Sequence, residues 1–187
     1  MSKKKILELG PGTKPAVKRS NQYDVIYLDM VRYAGVDKVH NLEKFPYPFK
    51  NNEFDVIIAY HVIEHLKNTI KVMEELHRIT KNGGLIKIKV PHVSSFMALG
   101  HLTHKRAFST GTFNNFTDKN WEKYSHVKFD IVKIKLHWFR MRRYPIISQI
   151  NWLVEKIINI NHMFSERFLS FPLCGFDEIY YEIRVRK

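Results

Sequence analysis

The sequence predicts an α/β protein with a mostly parallel sheet, and three observations support this fold class. Short apolar runs at 5–9, 24–28, 36–40, 54–59 and 85–90 have the length of strands, and 54–59 is strongly apolar, as in strands buried on both faces. Apolar residues at helical spacing predict a helix over 68–80, ended by Asn82-Gly83-Gly84. A short helix is also expected over 16–21. Strands that alternate with helices form parallel sheets with right-handed crossovers.

The second half of the chain has a different pattern. Residues 92–128 show no sustained period but contain many aromatic side chains, which favours an ordered functional loop. A sixth strand is predicted over 129–141, a long apolar helix over 146–169, and a seventh strand over 178–186. Without a linker or repeat, the 187 residues are expected to form one domain, 1–187.

Composition restricts the function classes. The single cysteine, Cys174, excludes a disulfide framework, and no apolar run reaches the roughly 18–20 residues that cross a bilayer. We therefore expect a cytoplasmic protein, with peripheral membrane contact left open. The net charge of +13 comes from 31 Lys and Arg against 18 Asp and Glu, and it is densest over 99–143. Such a surface suits nucleic acid, anionic lipid or a phosphorylated substrate, or it is simply a solvated basic surface.

A glycine motif at the end of the first predicted strand carries the chemistry. In Glu8-Leu9-Gly10-Pro11-Gly12, the glycines allow the backbone to approach a ligand closely. Asp29 ends the second strand, where a carboxylate can accept both ribose hydroxyls of a nucleoside. The third glycine of dinucleotide enzymes is missing, and an acid before Gly10 would repel a pyrophosphate. The pattern therefore indicates S-adenosylmethionine rather than NAD.

The motifs at 8–12, 29, 41–49, 53–57 and 61–66, taken together, resemble class I S-adenosylmethionine-dependent methyltransferases, and the small type 11 methyltransferase-domain proteins most of all. The resemblance extends over residues 5–91. It implies a Rossmann-like fold with a seven-stranded, mostly parallel sheet, an antiparallel last strand and an elaborated C-terminal half. It also implies that S-adenosylhomocysteine is the product. Residues 1–91 would then form the cofactor-binding half and 92–187 the acceptor-side half.

The resemblance implies a role for each residue that matches the family's motifs. Glu8, Gly10 and Gly12 would line the methionine end of the cofactor. Asp29 would bind the ribose hydroxyls, and Met30 would pack under the adenine.

The resemblance also implies roles for residues near the ends of the third and fourth predicted strands. Asn41 and Leu42 match the adenine-edge position, and an Asn amide can both accept from and donate to an adenine edge. Tyr60 and His61 would face the sulfonium.

Histidines raise the question of a metal. His61-Val62-Ile63-Glu64-His65 matches the H-x-x-E-H pattern of a zinc-protease class, but a catalytic zinc needs a third protein ligand. His92, His101 and His104 are scattered along a His-rich chain. We therefore expect no metal site.

The predicted catalytic residues lie on the acceptor side. The loop after the fifth strand resembles a subset of these proteins, many of them in glycan or cell-envelope pathways, through Pro91-His92 and 103–108. His104 is the first candidate for a base and His65 the second. The 146–169 helix would cover the sheet or close the acceptor cleft, or else form a surface for a dimer partner or a lipid-linked substrate.

The function predicted is methyl transfer to an oxygen or nitrogen of a small-molecule, sugar or anionic acceptor. The main alternative is an RNA methyltransferase or RNA-binding module that uses the basic surface. A cofactor-binding protein without catalysis is a third reading. The oligomeric state cannot be predicted from the sequence.

Overall fold

A computed structural model describes residues 3–119, 124–140 and 145–187, with the side chains of 145–148 outside the description. A seven-stranded sheet in the order β3-β2-β1-β4-β5-β7-β6 forms its centre. The strands are β1 (Lys4–Leu9), β2 (Tyr23–Asp29), β3 (Lys38–Val39), β4 (Phe54–Tyr60), β5 (Thr80–Pro91), β6 (Lys128–His137) and β7 (Glu178–Arg186). β7 is antiparallel to both of its neighbours, and the remaining neighbouring pairs are parallel. The predicted fold class is confirmed.

Alternation along the strands gives the sheet one fully buried face. Leu7, Ile57, Ile86 and Ile88 are wholly buried on it, and Tyr181 of β7 joins them. The same face continues through Ile179, Ile183 and Val185 to Phe129 of β6. Burying each large apolar side chain stabilises the fold by roughly 1.5–3 kcal/mol, so this face holds the sheet in register.

The helix between β4 and β5 is α1 (Thr69–Ile79). It begins where the Asn68 side chain accepts a hydrogen bond from the Lys71 N–H, a typical N-cap. Val72, Met73, Leu76 and Ile79 are its buried apolar residues, at the spacing of one helix face. The predicted helix over 68–80 is therefore observed nearly to the residue.

The helix expected over 16–21 does not form, although those residues lie within the described chain, and turns and bends take its place. The Glu8 carboxylate accepts hydrogen bonds from the N–H groups of Ala16 and Val17, at 2.7 and 3.0 Å. A segment of six residues is too short to be helical without strong support. The side chain of Glu8 thus supplies the backbone partners that a helix would otherwise need.

The chain after β5 begins with a folded loop rather than an irregular one. It contains α2 (Phe96–Gly100) and a single 3₁₀ turn at Thr112–Phe116. Phe108, Phe113 and Phe116 are buried in the main core, and Phe113 meets the Tyr181 ring edge-on at 4.8 Å. These three aromatic side chains of the loop are therefore part of the core, whereas Phe96 and Tyr124 are exposed.

The continuous helix predicted over 146–169 is wrong. α3 (Pro145–Ile158) ends before Asn159, α4 (His162–Phe164) follows, and a π-helical turn covers Ser165–Leu169. The Asn159 amide exchanges two hydrogen bonds with the backbone of Leu136, at 2.7 and 2.8 Å, which fixes the break against β6. Asn161 then caps α4 by accepting from the Phe164 N–H.

Two further outcomes concern boundaries and the membrane. β6 ends at His137, and residue 141, where the sixth strand was predicted to end, lies outside the described residues. Among the helices of the described chain, none combines the length and apolar character needed to span a membrane.

Candidate functional site

The glycine loop after β1 lies at the carboxyl edge of the sheet, where open α/β sheets bind ligands. Gly10 and Gly12 have φ of +61° and +54°, values that side-chain-bearing residues rarely adopt. A Cβ at Gly10 would lie 2.6 Å from Val62 Cγ2, whereas one at Gly12 would meet nothing within 4 Å. Gly10 is therefore required for packing, while Gly12 leaves open space above the loop.

Asp29 ends β2 next to this loop and is 9% exposed. Its Oδ2 accepts from the Gly12 N–H at 3.0 Å, and its Oδ1 accepts from the Val31 N–H at the same distance. A carboxylate oxygen has two acceptor sites, so each oxygen keeps one for a ligand. Met30, which follows it, is 66% exposed.

Glu8 lies at the same edge, in β1, and is buried. Both of its oxygens bind backbone N–H groups of Ala16 and Val17, as described above. Its observed role is therefore to shape the loop of which Gly10 and Gly12 are part.

Asn41 and Leu42 follow β3 at the next position along this edge. Leu42 is buried, and its carbonyl accepts from the Tyr47 hydroxyl at 2.9 Å. The half-buried Asn41 accepts from the Glu43 N–H through Oδ1. Its amide N–H₂ group makes no hydrogen bond within the described residues and so remains available as a donor.

Tyr60 ends β4, and His61 follows it with φ of +55°. The His61 Nε2 lies 2.8 Å from Glu178 Oε2, and its Nδ1 lies 3.4 Å from Glu64 Oε1. The hydrogen bond to Glu178 and then the interaction with Glu64 raise the pKa of His61 to about 9. His61 is therefore an imidazolium at neutral pH and cannot act as a base there.

Glu178 contacts both His61 and Arg140 in this part of the site. It is 3% exposed, and Arg140 Nη1 binds its Oε1 at 2.9 Å while His61 binds its Oε2. Burial alone would raise the pKa of Glu178, but the His61 hydrogen bond and the charges of Arg140 and Lys89 outweigh it and lower the pKa. The buried charge is thus paired on both oxygens.

A cleft of about 450 Å³ opens beside His61, between β4, β5 and the second half of the chain. His65, His101 and His104 line it on one side, and Arg140, Asp177 and Glu178 line it on the other. Glu64 also faces it, is 1% exposed, and has two carboxylate oxygens without a hydrogen-bond partner among the described residues. The His61 imidazolium, 3.4 Å from Oε1, compensates the charge of Glu64, and both oxygens keep the capacity to accept a hydrogen bond from a ligand.

The two predicted base candidates, His65 and His104, do lie together. Their ring centroids are 4.7 Å apart, and His101 stacks on His104 at 4.6 Å. Burial, together with the neighbouring His104 and His101, lowers the pKa of His65 against the opposing influence of Glu64. A neutral imidazole is therefore available at the cleft at neutral pH, unlike at His61.

His92, by contrast, lies away from this cluster and is 1% exposed. Its Nε2 lies 2.9 Å from Glu166 Oε1, and the Thr110 N–H and hydroxyl bind the same carboxylate. This network ties the loop after β5 to the π-helical turn. His92 is a structural residue.

Sequence reasoning missed four charged residues of the cleft, namely Glu64, Arg140, Asp177 and Glu178. Glu64 lay within the H-x-x-E-H pattern but was noted only as part of a zinc motif. Arg140 and Glu178 carry no local signal, since 117 residues separate His61 from Glu178. Only the antiparallel placement of β7 beside β5 brings them together.

Comparison with known proteins shows the family to which this chain belongs. A family model described as a methyltransferase domain matches residues 1–156. An uncharacterized protein of Methanocaldococcus jannaschii is 28% identical over 97 residues, which are 49% of this chain and 43% of that protein. The match with this curated relative thus spans less than half of the relative's length.

Solved structures share the fold over nearly the whole chain. Bacillus subtilis YcgJ has a TM-score of 0.62 at 15% identity, covering 99% of this chain and 93% of that one. Haemonchus contortus phosphoethanolamine N-methyltransferase 2, in complex with S-adenosylmethionine, has a TM-score of 0.62 at 14% identity, covering 100% and 49%. The [4+2]-cyclase SpnF has a TM-score of 0.60 at 13% identity, covering 98% and 75%. Identities this low show the fold alone.

Proposed function

This chain belongs to the methyltransferase-domain family of S-adenosylmethionine-dependent enzymes, and from that premise we propose that it methylates an oxygen or nitrogen of a small-molecule or glycan-type acceptor. The observation that carries the proposal is the glycine loop of Gly10 and Gly12 joined to Asp29, at the carboxyl edge of a sheet with the family's topology. It combines close backbone approach with a ribose-binding carboxylate.

The described residues fit the cofactor. Gly12 leaves open space above the loop, and Asp29 keeps one acceptor site on each oxygen for the ribose hydroxyls. The exposed Met30 offers an apolar surface to the adenine, and Asn41 offers a donor at its edge. In this assignment Glu8, Gly10 and Gly12 lie beside the methionine end, with Leu42 behind the adenine and Tyr60 and His61 nearest the sulfonium.

The acceptor lies, in this proposal, in the cleft that His65, His104 and Glu64 line. S-adenosylmethionine, when bound, supplies an electrophilic methyl group that is already activated. The imidazole of His104, with His65 as the second candidate, takes the proton from an acceptor hydroxyl as its oxygen attacks the methyl group. Glu64 accepts a hydrogen bond from another donor of the acceptor and orients it.

The charges of the cleft indicate the chemistry of the acceptor. Arg140 and the His61 imidazolium suit an anionic group, while Glu64 and Asp177 suit hydroxyl or amine donors. A sugar or another polyhydroxylated molecule with an acidic substituent satisfies both. Residues 1–91 then serve the cofactor and 92–187 the acceptor, within one domain.

The test is thermal unfolding followed by an acceptor screen. S-adenosylmethionine and S-adenosylhomocysteine should raise the melting temperature, because they bind the folded state, and NAD should not. An acceptor screen with methyl-labelled cofactor then identifies what is methylated. If neither sulfur nucleoside shifts the melting temperature at concentrations far above micromolar, the proposal fails at its first step.

A second candidate function, RNA binding or RNA methylation, is favoured by the other face of the sheet. Adjacent strands place Tyr60, Lys89, Tyr180 and Lys135 in one row across it, and the Lys89 Nζ lies 4.6 Å from the centre of the Tyr60 ring. Lysines interleaved with aromatic rings are what single-stranded nucleic acid binds.

Salt dependence separates the two functions. If RNA is the partner, the affinity for generic single-stranded RNA should fall steeply with salt and fall again when Lys89 and Lys135 are both changed to Ala. Weak binding with a flat salt response, unchanged in the double variant, would eliminate the RNA function.

A further inference from the structure

Three histidines from two separate segments meet at one side of the cleft. His65 ends the 3₁₀ turn at Ile63–His65, and His101 and His104 lie just after α2. One ring nitrogen of each lies within 4.8 Å of those of the other two. They differ from the pair that the H-x-x-E-H pattern suggested, because His61 is engaged by Glu178.

The Nδ1 atom of each of the three rings lies near an oxygen of the chain. Thr103 Oγ1 lies 2.8 Å from His65 Nδ1 and 3.0 Å from His101 Nδ1, and its two lone pairs can accept from both N–H groups. His104 Nδ1 lies 3.2 Å from the Ala98 carbonyl oxygen. Histidines that bind metals commonly donate their other N–H group to such oxygens. The Thr103 N–H also lies 3.4 Å from His101 Nδ1, and this longer contact is lost when His101 carries its proton on Nδ1. In that tautomer of the three rings, each Nε2 is free of hydrogen and can bind an ion.

We propose that His65, His101 and His104 bind one divalent transition-metal ion of the zinc or cobalt type. Three neutral imidazoles suit these ions and are poor ligands for Mg²⁺ or Ca²⁺, which prefer oxygen. Three protein ligands leave a fourth position for water or a ligand. Since all three side chains line the cleft, that position faces the acceptor.

The segment can close around an ion with small movements. Tetrahedral coordination at about 2.0–2.1 Å places ligand nitrogens roughly 3.4 Å apart, so the rings must approach one another somewhat. The loop tip allows this, because Leu102 is 97% exposed and His101 is exposed beside it. The Lys105 N–H, bound to the Glu64 carbonyl oxygen at 2.7 Å, anchors the end of the segment.

The role of the ion rests on the proposed function, while its binding does not. An ion at this position would hold an acceptor oxygen at its open coordination site and lower the pKa of that hydroxyl. In that case His104 is a ligand, and the metal-bound acceptor hydroxyl would lose its proton to solvent water rather than to a histidine.

The experiment measures metal binding directly. Protein stripped with EDTA is titrated with Co²⁺ and, separately, with Zn²⁺, by calorimetry and by the visible absorption of bound Co²⁺. We expect one ion per chain, weakened at least tenfold in His101→Ala and His104→Ala. Thr103→Val should weaken binding by roughly 10–100-fold, because it removes only the hydroxyl that orients two ligands. His126→Ala, at an exposed histidine outside the cluster, is the matched control.

His101→Ala lies at an exposed position, and its unchanged melting temperature would show that the variant is folded. Binding that is equally strong in His101→Ala and His126→Ala, or no binding to the parent chain, overturns the proposal. Because no cofactor is present, either result leaves the test of methyl transfer untouched.

Discussion

Asp29 at the end of β2 accepts a hydrogen bond from the Gly12 N–H, across 3.0 Å, and so holds the loop that follows β1. The same carboxylate is the one proposed to bind ribose. A ligand at this position must therefore share Asp29 with the loop, and the loop conformation and the affinity for the cofactor are coupled.

We expect Asp29→Ala to weaken S-adenosylhomocysteine binding by about 1.5–3 kcal/mol, since hydrogen bonds to charged groups are lost. Calorimetric titration measures this. Asp24→Ala, at the exposed opposite end of the same strand, is the control and should bind normally. Equal affinities of the two variants would remove Asp29 from the site.

Gly10→Ala tests the packing of the glycine loop. A left-handed alanine costs roughly 1 kcal/mol, and the contact with Val62 adds to this. Gly35→Ala is the comparison, because Gly35 has φ of +90° and an added Cβ would meet nothing within 4 Å. That variant loses stability only through the unfavourable backbone conformation. Chemical denaturation should show Gly10→Ala as the less stable, with part of the difference recovered in Gly10→Ala/Val62→Ala. No recovery would show that the Val62 contact is unimportant.

His61 predicts a pH dependence of stability. Glu178 and then Glu64 raise the pKa of His61 to about 9. The stabilisation of the folded state by the His61 imidazolium is therefore complete below the ordinary histidine pKa of 6.5, and it is lost as the pH rises through 9. Because 51% of the side chain is exposed, we expect only about 1 kcal/mol.

The matched variant is His61→Asn, since Asn tolerates positive φ. Between pH 7 and pH 9.5 the parent should lose about 2–4 °C in melting temperature more than the variant does. Parallel pH profiles would contradict the ion pair with Glu178.

Glu64→Gln separates stability from function. The Glu64 carboxylate is buried and accepts no hydrogen bond within the described residues, but the His61 Nδ1 lies 3.4 Å from its Oε1 as a charge partner. A neutral amide relieves the burial of a charge and loses that attraction, so the free energy of unfolding should change by no more than about 1 kcal/mol. Methylation of the acceptor should fall, because a specific hydrogen-bond acceptor is lost. Glu43→Gln, at an exposed carboxylate, is the control. A less stable variant with full turnover would assign Glu64 a structural role instead.

Hydrogen exchange should show which part of the loop over 92–128 becomes ordered when ligands bind. Thr110, bound to Glu166, and the buried Phe113 fix the later part of 92–128. We therefore expect ligand-dependent protection mainly over 95–105, which includes the exposed Leu102. Protection of 92–128 that is the same with and without ligands would show that no part of this loop closes over the bound ligands.

The positions of the strands along the chain could be predicted from the sequence because each is a local apolar pattern, whereas the antiparallel last strand is implied by the family resemblance. The helix over 16–21 could not be excluded in this way, because the Glu8 carboxylate that replaces it acts across a loop. The break at Asn159 depends on Leu136, which lies 23 residues away. At the site, Gly10, Gly12 and Asp29 carry a local motif, whereas Glu178 and Arg140 reach the cleft only through the pairing of β7.

The pairing of His61 with Glu178 also limits how acceptor specificity could be exchanged between relatives. The acceptor-side half is not one removable module, because β7 supplies both a central strand and a carboxylate that neutralises the end of β4. A chimera that replaces 92–119 alone leaves that carboxylate in place. One that replaces everything after residue 91 must supply an equivalent carboxylate, because His61 would otherwise be left with the longer contact to Glu64.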